Sequence, residues 1–203
     1  MIIHTFEQRT EEWYKIRLGK FTGSNFHALM GIGKMRDKLI LEKTAEHLTM
    51  YSDIELINSA DIRRGVEQED EAIFLYEVQS NVKVDHVGFI ELDDFTGCSP
   101  DGLVGSDGLV EAKCPRQSVY LETILTDKIK PEYDTQIQFD LYVSDRKWCD
   151  FVMYHRKFGI WVKRFYRDEE KIKNIVRVLN GAKAEVRNNI TRFNLIKKGK
   201  IDE

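Results

Sequence analysis

The chain has 203 residues and a mass of 23.8 kDa, a size that suits one domain with a complete hydrophobic core. Its composition, 42% hydrophobic and 32% charged, is ordinary for a globular protein, and no run of about 18 apolar residues or signal-peptide pattern is present, so we expect no membrane span. A formal net charge of −3, taken alone, argues against a protein that coats nucleic acid.

The charge is unevenly distributed along the chain. Residues 1–110 carry 11 Lys and Arg against 20 Asp and Glu, whereas residues 146–200 carry 16 basic and 5 acidic residues. Such asymmetry indicates a polyanionic partner for the basic half, although a solvated helical surface explains it equally well.

Three cysteines (Cys98, Cys114 and Cys149) form no CxxC pair. Their odd number predicts free thiols in a reducing, cytoplasmic setting, and it falls short of the four ligands of an iron–sulfur cluster or a four-cysteine zinc site.

The first 80 residues predict helices. Thr10 is a candidate N-cap for a helix that ends near Gly19, and the turn at Thr22 caps a short second helix. Apolar residues at three-to-four spacing over 40–48 predict a third helix, and a longer fourth helix covers about 58–80.

Alternation with period two then predicts strands over residues 81–113, joined in part by a Gly-Ser-Asp-Gly turn. Helices follow over 117–126 and from Pro131, then a hairpin over WCDFVMYH and GIWVKRFYR, and an amphipathic helix over 168–188 with a basic tail. The order predicts an α/β (α+β) fold with a mixed central sheet flanked by helices. We expect one domain over 1–203, with a helical part at about 1–80, the sheet at about 81–167, and the C-terminal helix and tail at about 168–203.

The densest polar constellation combines Asp101 with Glu111 and Lys113. Side chains at i and i+2 of a strand share a face, so Glu111 and Lys113 point the same way, and Asp101 can approach Glu111 if the two strands pair. Two close carboxylates repel unless a divalent cation lies between them, and oxygen ligands without His or Cys favour Mg²⁺ or Mn²⁺. Taken singly, E-x-K is typical of a surface ion pair and S-P-D-G of a turn.

Glu69 is a third candidate acid. On the fourth predicted helix it lies about 20° from Ile62, within the inward stripe that also includes Ile73 and Tyr76. A carboxylate on a buried face is costly unless it is paired or binds a metal. Glu69 is therefore the anomalous acid of this helix.

The spacing Asp101–x9–Glu111–x–Lys113 resembles the PD-(D/E)xK nuclease signature. The longer string CSPDGLVGSDGLVEAKCP is similar to the λ-exonuclease branch, the YqaJ-type viral recombinase (alkaline exonuclease) family. Further matches, in order, are EEWYKIRLGKFTGSNF, RRGVEQEDEA with Glu69, and QIQFDLYV with its two glutamines. The resemblance covers about residues 7–145 and implies a restriction-endonuclease-like core.

The resemblance also implies roles for individual residues. Asp101, Glu111 and the backbone carbonyl of Ala112 would hold one or two Mg²⁺ or Mn²⁺ ions, with Glu69 at a further metal-binding position. Lys113 would orient the attacking water, and Gln138 would support the site. For the DNA, Arg17 and Ser24 would hold the 5′-terminal phosphate, which suits a guanidinium fork and a hydroxyl beside a helix N-terminus. Ile62 would be the wedge that parts the strands.

The activity implied is a metal-dependent 5′→3′ exonuclease that degrades one strand of linear duplex DNA to 5′-mononucleotides and leaves 3′ overhangs for phage-type recombination. The resemblance also implies a homotrimeric ring that acts on DNA ends, and a single-strand annealing protein as partner. Two alternatives stay open: a PD-(D/E)xK endonuclease of restriction or repair type, and an inactive protein that binds DNA ends.

Overall fold

The computed structural model describes residues 1–53 and 60–199, and the side chains of residues 60–66 lie outside that description. The N-terminal part is helical after one short strand that the sequence analysis did not predict. These elements are β1 (Ile2–His4), α1 (Glu11–Arg17), α2 (Gly23–Met30), α3 (Lys34–Thr49) and α4 (Ala60–Ser80). Both helices begin where predicted: the Thr10 side chain accepts from the Trp13 N–H, and the Thr22 N–H donates to Oδ1 of Asn25 at 3.0 Å.

The remaining chain has five consecutive strands, two helices, a hairpin and a final helix, in the order that the sequence predicts. These elements are β2 (Val84–Asp85), β3 (Phe89–Asp93), β4 (Thr96–Cys98), β5 (Gly102–Val104), β6 (Gly108–Lys113), α5 (Gln117–Thr126), α6 (Pro131–Ser144), β7 (Trp148–His155), β8 (Gly159–Tyr166) and α7 (Glu169–Lys197).

The strands form two sheets. The main sheet has five strands in the order β2-β5-β6-β7-β8, with β6 and β7 parallel and the other pairs antiparallel. A smaller antiparallel sheet has the order β1-β3-β4. The predicted mixed central sheet is therefore confirmed, but β3 and β4 leave it to pair with the unpredicted β1.

Helices cover both faces of the main sheet. One apolar cluster places Leu109 and Phe151 against α2, α6 and α7, and the other places Val110 and Val152 against α4. Because β6 lies in the middle of the sheet between these two clusters, its residues from Gly108 to Ala112 are all buried. Any polar side chain on β6 therefore sits in the interior of the fold.

The C-terminal helix is longer than the predicted 168–188. Its buried stripe runs from Ile172 to Val186, and the helix then continues through Thr191 and Arg192 to Lys197. The predicted basic tail is thus mostly the last turns of α7, where positive side chains interact favourably with the helix dipole.

In the parts of the chain that the structure describes, no helix combines the length and the apolar character needed to cross a membrane.

Candidate active site

Asp101 and Glu111 come together through the pairing of β5 with β6. Gly102 lies opposite Val110 in this antiparallel pair, so the next step along the register brings Asp101 opposite Glu111. The Ala112 N–H donates to Oδ2 of Asp101 at 2.7 Å, which fixes that carboxylate beside the strand. The two strands do pair, and their register is the one in which Asp101 can approach Glu111.

Lys113 completes the group from the same strand. Its Nζ lies 2.5 Å from Oε1 of Glu111 and 5.5 Å from the centre of the Tyr133 ring. Burial alone would lower the pKa of Lys113, but the negative charges of Glu111 and Asp101 raise it above its usual value. The lysine is therefore fully protonated at neutral pH and lies among carboxylates.

Burial raises the pKa of Asp101 well above its usual value, and the charges of Glu111 and Glu69 raise it further. The charge of Lys113 and the hydrogen bond from the Ala112 N–H oppose this rise in the pKa without cancelling it. The site thus carries more negative charge than the protein itself neutralises, which is the electrostatic condition for binding a cation.

The donor set suits a hard divalent cation. Oε2 of Glu111 is buried and has no hydrogen-bond partner among the described residues. Asp101 offers a second carboxylate, and the Ala112 carbonyl is a further oxygen on the same strand. No three His, Cys, Asp or Glu side chains within 1–53 and 67–199 are gathered closely enough to hold an ion.

Glu69 lies on α4, half-buried, with Ile73 and Tyr76 of the same helix packed in the core. Its charge acts on Asp101, but its Oε2 is 2.5 Å from Nη2 of Arg9, a residue outside the sequence motifs. The third acid is therefore close to the carboxylate pair and is held by a cation from the N-terminal loop.

The glutamine that contacts the carboxylates is Gln136, whereas Gln138, expected to support the site, makes its described hydrogen bonds elsewhere. Nε2 of Gln136 donates to Oε1 of Glu111 at 2.6 Å. Gln138 instead donates to the Tyr166 carbonyl at 2.9 Å and accepts from the Asp168 N–H at 2.9 Å. Both functions of the Gln138 amide are thus occupied at the start of α7.

Asp140, one turn after Gln136, is a functional candidate that the sequence analysis missed. It is 2% exposed, it hydrogen-bonds Gln136, and its Oδ1 has no partner among the described residues. Burial raises the pKa of Asp140 well above its usual value, and the Glu111 charge adds to this. The signal was available, because an acid within the apolar run of QIQFDLYV is unusual.

Arg17 and Ser24, the two residues expected to hold a terminal phosphate, lie in contact in a second polar group. Its guanidinium donates to Ser99 Oγ at 2.8 Å and to Thr22 Oγ1 and Ser24 Oγ at 3.3 Å each, and it stacks 4.1 Å from the centre of the Trp13 ring. Burial lowers the pKa of Arg17 to about 10, although the Asp140 charge opposes this.

The partners of Arg17 are hydroxyls, and no carboxylate among the described residues forms an ion pair with it. A guanidinium held in this way has the geometry and the unused charge to bind an anion. Ser99 connects this pocket to the carboxylates, because it precedes Asp101 by two residues in the link between β4 and β5.

The sequence predicts no role in the site for Ser99, Thr22 or Arg9. Thr22 was recognised as a cap and Ser99 as part of a turn, and only the tertiary structure brings both hydroxyls to Arg17. The proposed wedge residue Ile62 lies outside the described residues.

Comparisons with known proteins identify the family and the fold of the chain. The model of the YqaJ-like viral recombinase domain matches residues 12–147. The crystal structure of the alkaline exonuclease LHK-Exo from Laribacter hongkongensis superposes with a TM-score of 0.89 at 34% identity, covering 95% of this chain and 100% of that one. The same protein in complex with dAMP gives a TM-score of 0.87 at 35% identity over the same shares of the two chains.

A phage-related exonuclease from Haemophilus somnus 129PT shares the fold, with a TM-score of 0.65 at 18% identity over 86% of this chain and 96% of that one. No curated protein sequence matches the chain. The family match spans the segments that carry Arg17, Glu69, Asp101, Glu111, Lys113 and Gln136. On these grounds the chain belongs to the YqaJ-like viral recombinase family.

Proposed function

We propose that the protein is a metal-dependent 5′→3′ exonuclease that degrades one strand of linear duplex DNA to 5′-mononucleotides and leaves 3′ single-stranded overhangs. The observation that carries the proposal is the Ser99–Asp101 link, which joins an anion pocket at Arg17 to the buried group of Asp101, Glu111 and Lys113. A terminal phosphate in the first pocket would set the scissile phosphate near the second.

The similarity to LHK-Exo, which binds dAMP, supports a product of the deoxynucleoside monophosphate class. A 34% identical exonuclease over 95% of the chain supports end-dependent cleavage. These points favour the exonuclease over an endonuclease of restriction or repair type.

Mg²⁺ or Mn²⁺, held by Asp101, Glu111 and the Ala112 carbonyl with Glu69 nearby, would supply Lewis-acid activation of water and of the phosphate. The protein's own groups do the rest. Lys113 is positioned to stabilise negative charge on the phosphate, and Gln136 holds Glu111 in place through its 2.6 Å hydrogen bond. Arg17 binds the terminal phosphate, and the hydroxyls of Thr22, Ser24 and Ser99 hold its fork.

The test compares linear duplexes with 5′-phosphate and 5′-hydroxyl ends, each with Mg²⁺ or EDTA, against covalently closed circles. We expect mononucleotide release from the 5′-phosphate ends with Mg²⁺, slower release from the 5′-hydroxyl ends, and none with EDTA or from circles. Equal cleavage of circles and linear DNA would instead favour the endonuclease.

The Lys113→Ala variant separates an enzyme from an inactive protein that binds DNA ends. We expect lost cleavage with retained binding of the duplex end, because the lysine acts on the reaction and not on docking. Unchanged cleavage by this variant would contradict the proposed chemistry.

We further propose a homotrimeric ring that encloses DNA, with a single-strand annealing protein as partner. Family membership supports both, and light scattering tests the first. A mass near 24 kDa at all concentrations would exclude the trimer.

A further inference from the structure

Arg9 has an unusual backbone for a residue with a long side chain. Its φ of 66° lies in the left-handed region, where non-glycine residues are uncommon and cluster at functional sites. The neighbours on both sides are fixed. Gln8 donates to the carbonyls of Val87 at 3.0 Å and Pro100 at 2.9 Å, and Thr10 caps α1 while donating to the Glu7 carbonyl at 2.8 Å.

This anchored turn directs the Arg9 side chain towards α4, where its guanidinium meets Glu69. The two side chains are 39% and 22% exposed, so the ion pair is open to solvent on one side. Gln8 also ties the turn to Pro100, the residue before Asp101, so the turn is anchored to the segment that carries the carboxylate.

A cavity of about 370 Å³ lies between the turn and α4, and its lining includes Gln8, Arg9, Glu69, His86 and Asp101. Ligand sites in proteins begin at about this volume. The cavity brings together an arginine and two of the acids assigned to the metal site, so a nucleotide segment in it would contact all three.

Building on the proposed function, we propose that Arg9 is a further DNA-binding residue. It neutralises Glu69 until a divalent cation takes that carboxylate, and it then binds a phosphate of the DNA strand that occupies the cavity. The reason is electrostatic, because a guanidinium 2.5 Å from Oε2 of Glu69 already neutralises this carboxylate and repels a divalent cation that approaches it.

A purely structural role is the competing explanation, in which the ion pair only ties the N-terminal turn to α4. The two explanations predict opposite changes in metal affinity. Loss of a competitor for Glu69 should strengthen metal binding, whereas loss of a structural tie should weaken it or leave it unchanged.

The experiment uses Arg9→Gly, which removes the guanidinium while keeping the left-handed backbone allowed, and Arg9→Lys, which keeps the charge. Arg156→Ala is the matched control. Arg156 is exposed, and its Nε lies 3.4 Å from Oε2 of Glu71, which is on α4 like Glu69. Mg²⁺ binding is measured by calorimetry without DNA. Duplex binding is measured by anisotropy in the Lys113→Ala background with Mg²⁺.

For Arg9→Gly we expect Mg²⁺ binding about 3- to 5-fold tighter and duplex binding about 5- to 20-fold weaker, with a smaller change for Arg9→Lys and none for the control. Mg²⁺ binding that weakens or stays equal to the wild type would overturn the role of Arg9 and leave the metal site standing. A wild-type protein that binds no Mg²⁺ would overturn the proposed metal site and the inference with it.

Discussion

Arg17 is the residue that should distinguish one DNA end from another. Its three hydroxyl partners orient the guanidinium but do not neutralise it, so a terminal phosphate supplies the missing negative charge. We expect Arg17→Ala to lower the cleavage rate of 5′-phosphate ends roughly 30-fold, equivalent to about 2 kcal/mol, and to change the rate on 5′-hydroxyl ends little.

The measurement is the ratio of initial rates on the two kinds of end. Arg36→Ala is a suitable control, because Arg36 pairs with Glu185 between α3 and α7. If Arg17→Ala slowed both ends equally, Arg17 would be a structural residue and not the phosphate ligand.

The ionised carboxylate of Asp101, which the metal site needs, should lower the free energy of unfolding of the metal-free protein. Its pKa is raised in the folded chain by burial and by Glu111 and Glu69, so the folded state holds this proton to a higher pH than the unfolded state. Ionising the carboxyl therefore costs stability as pH rises above the ordinary value of about 3.9. Asp101→Asn removes that cost and keeps an oxygen for the Ala112 N–H.

We expect Asp101→Asn, without metal at pH 7 to 8, to gain about 1 to 2 kcal/mol, or roughly 2 to 8 °C in Tm. The gain should shrink as pH falls towards 4, and Mg²⁺ should raise the Tm of the wild type only. Asp145→Asn, at an exposed position, controls for the substitution itself. A Tm gain that persisted undiminished at pH 4 would show that charge repulsion is not its cause.

The sequence predicts the acids of the site better than its glutamine. Asp101, Glu111 and Lys113 follow from strand pairing and alternation, which are local rules. Gln136 and Gln138 are two residues apart on a helix and therefore point about 200° apart, so only one can reach Glu111. Which one does so depends on how α6 rotates against the sheet, and a motif carries no information about that rotation.

Helices α2 and α6 meet where the two halves of the site meet. A Cβ added at Gly23, the first residue of α2, would lie 2.2 Å from Oδ1 of Asp140 on α6. Asp140 also hydrogen-bonds Gln136, so this contact links the start of the Thr22–Ser24 segment to the Glu111 side of the site. The close approach of the two helices thus requires glycine at this position.

We expect Gly23→Ala to destabilise the fold by about 2 kcal/mol and to reduce the preference for 5′-phosphate ends. Adding Asp140→Ala should recover about 1 kcal/mol, measured as the coupling in a double-mutant cycle by chemical denaturation. Gly181→Ala, on α7 with no atom near the added Cβ, should instead gain about 0.5 to 1 kcal/mol. Additive effects of Gly23→Ala and Asp140→Ala would contradict the contact.

Among the elements, the long helices and the hairpin follow from periodicity, but the smaller sheet does not. Strand β1 has only three residues, too few to show a period-two pattern. It forms because it pairs with β3, which is more than 80 residues away in the chain. The end of α7 differs from its prediction for a local reason. Its basic residues suggest a solvated tail, yet Lys and Arg are good helix formers and extend the helix to Lys197.

At the scale of the whole molecule, the basic excess of residues 146–200 is smaller than its count of 16 indicates. Many of these side chains form ion pairs with acids, most of them elsewhere in the chain: Lys147 with Asp107, Arg156 with Glu71, Lys163 with Asp127, Arg164 with Asp150, Arg167 with Glu169, Lys171 with Asp134, Lys173 with Glu170, and Lys183 with Asp93. Part of the sequence asymmetry is thus cancelled by folding, and the charge left to meet phosphates is modest.

Binding to a duplex end should therefore depend on salt, but moderately. Each phosphate contact contributes about 0.9 to the slope of log affinity against log salt, so we expect a slope of roughly −3 to −5 between about 50 and 200 mM salt. Replacing Lys197 and Lys198 at the end of α7 by Gln should make the slope less steep. The same change at Lys171 and Lys173, which are paired with Asp134 and Glu170, should leave it nearly unchanged. Anisotropy titrations at four salt concentrations measure all three slopes. Affinity that is indifferent to salt, or a larger effect from Lys171 and Lys173, would contradict the expectation that the end of α7, for which residues 1–53 and 67–199 show no ion-pair partner, contacts DNA.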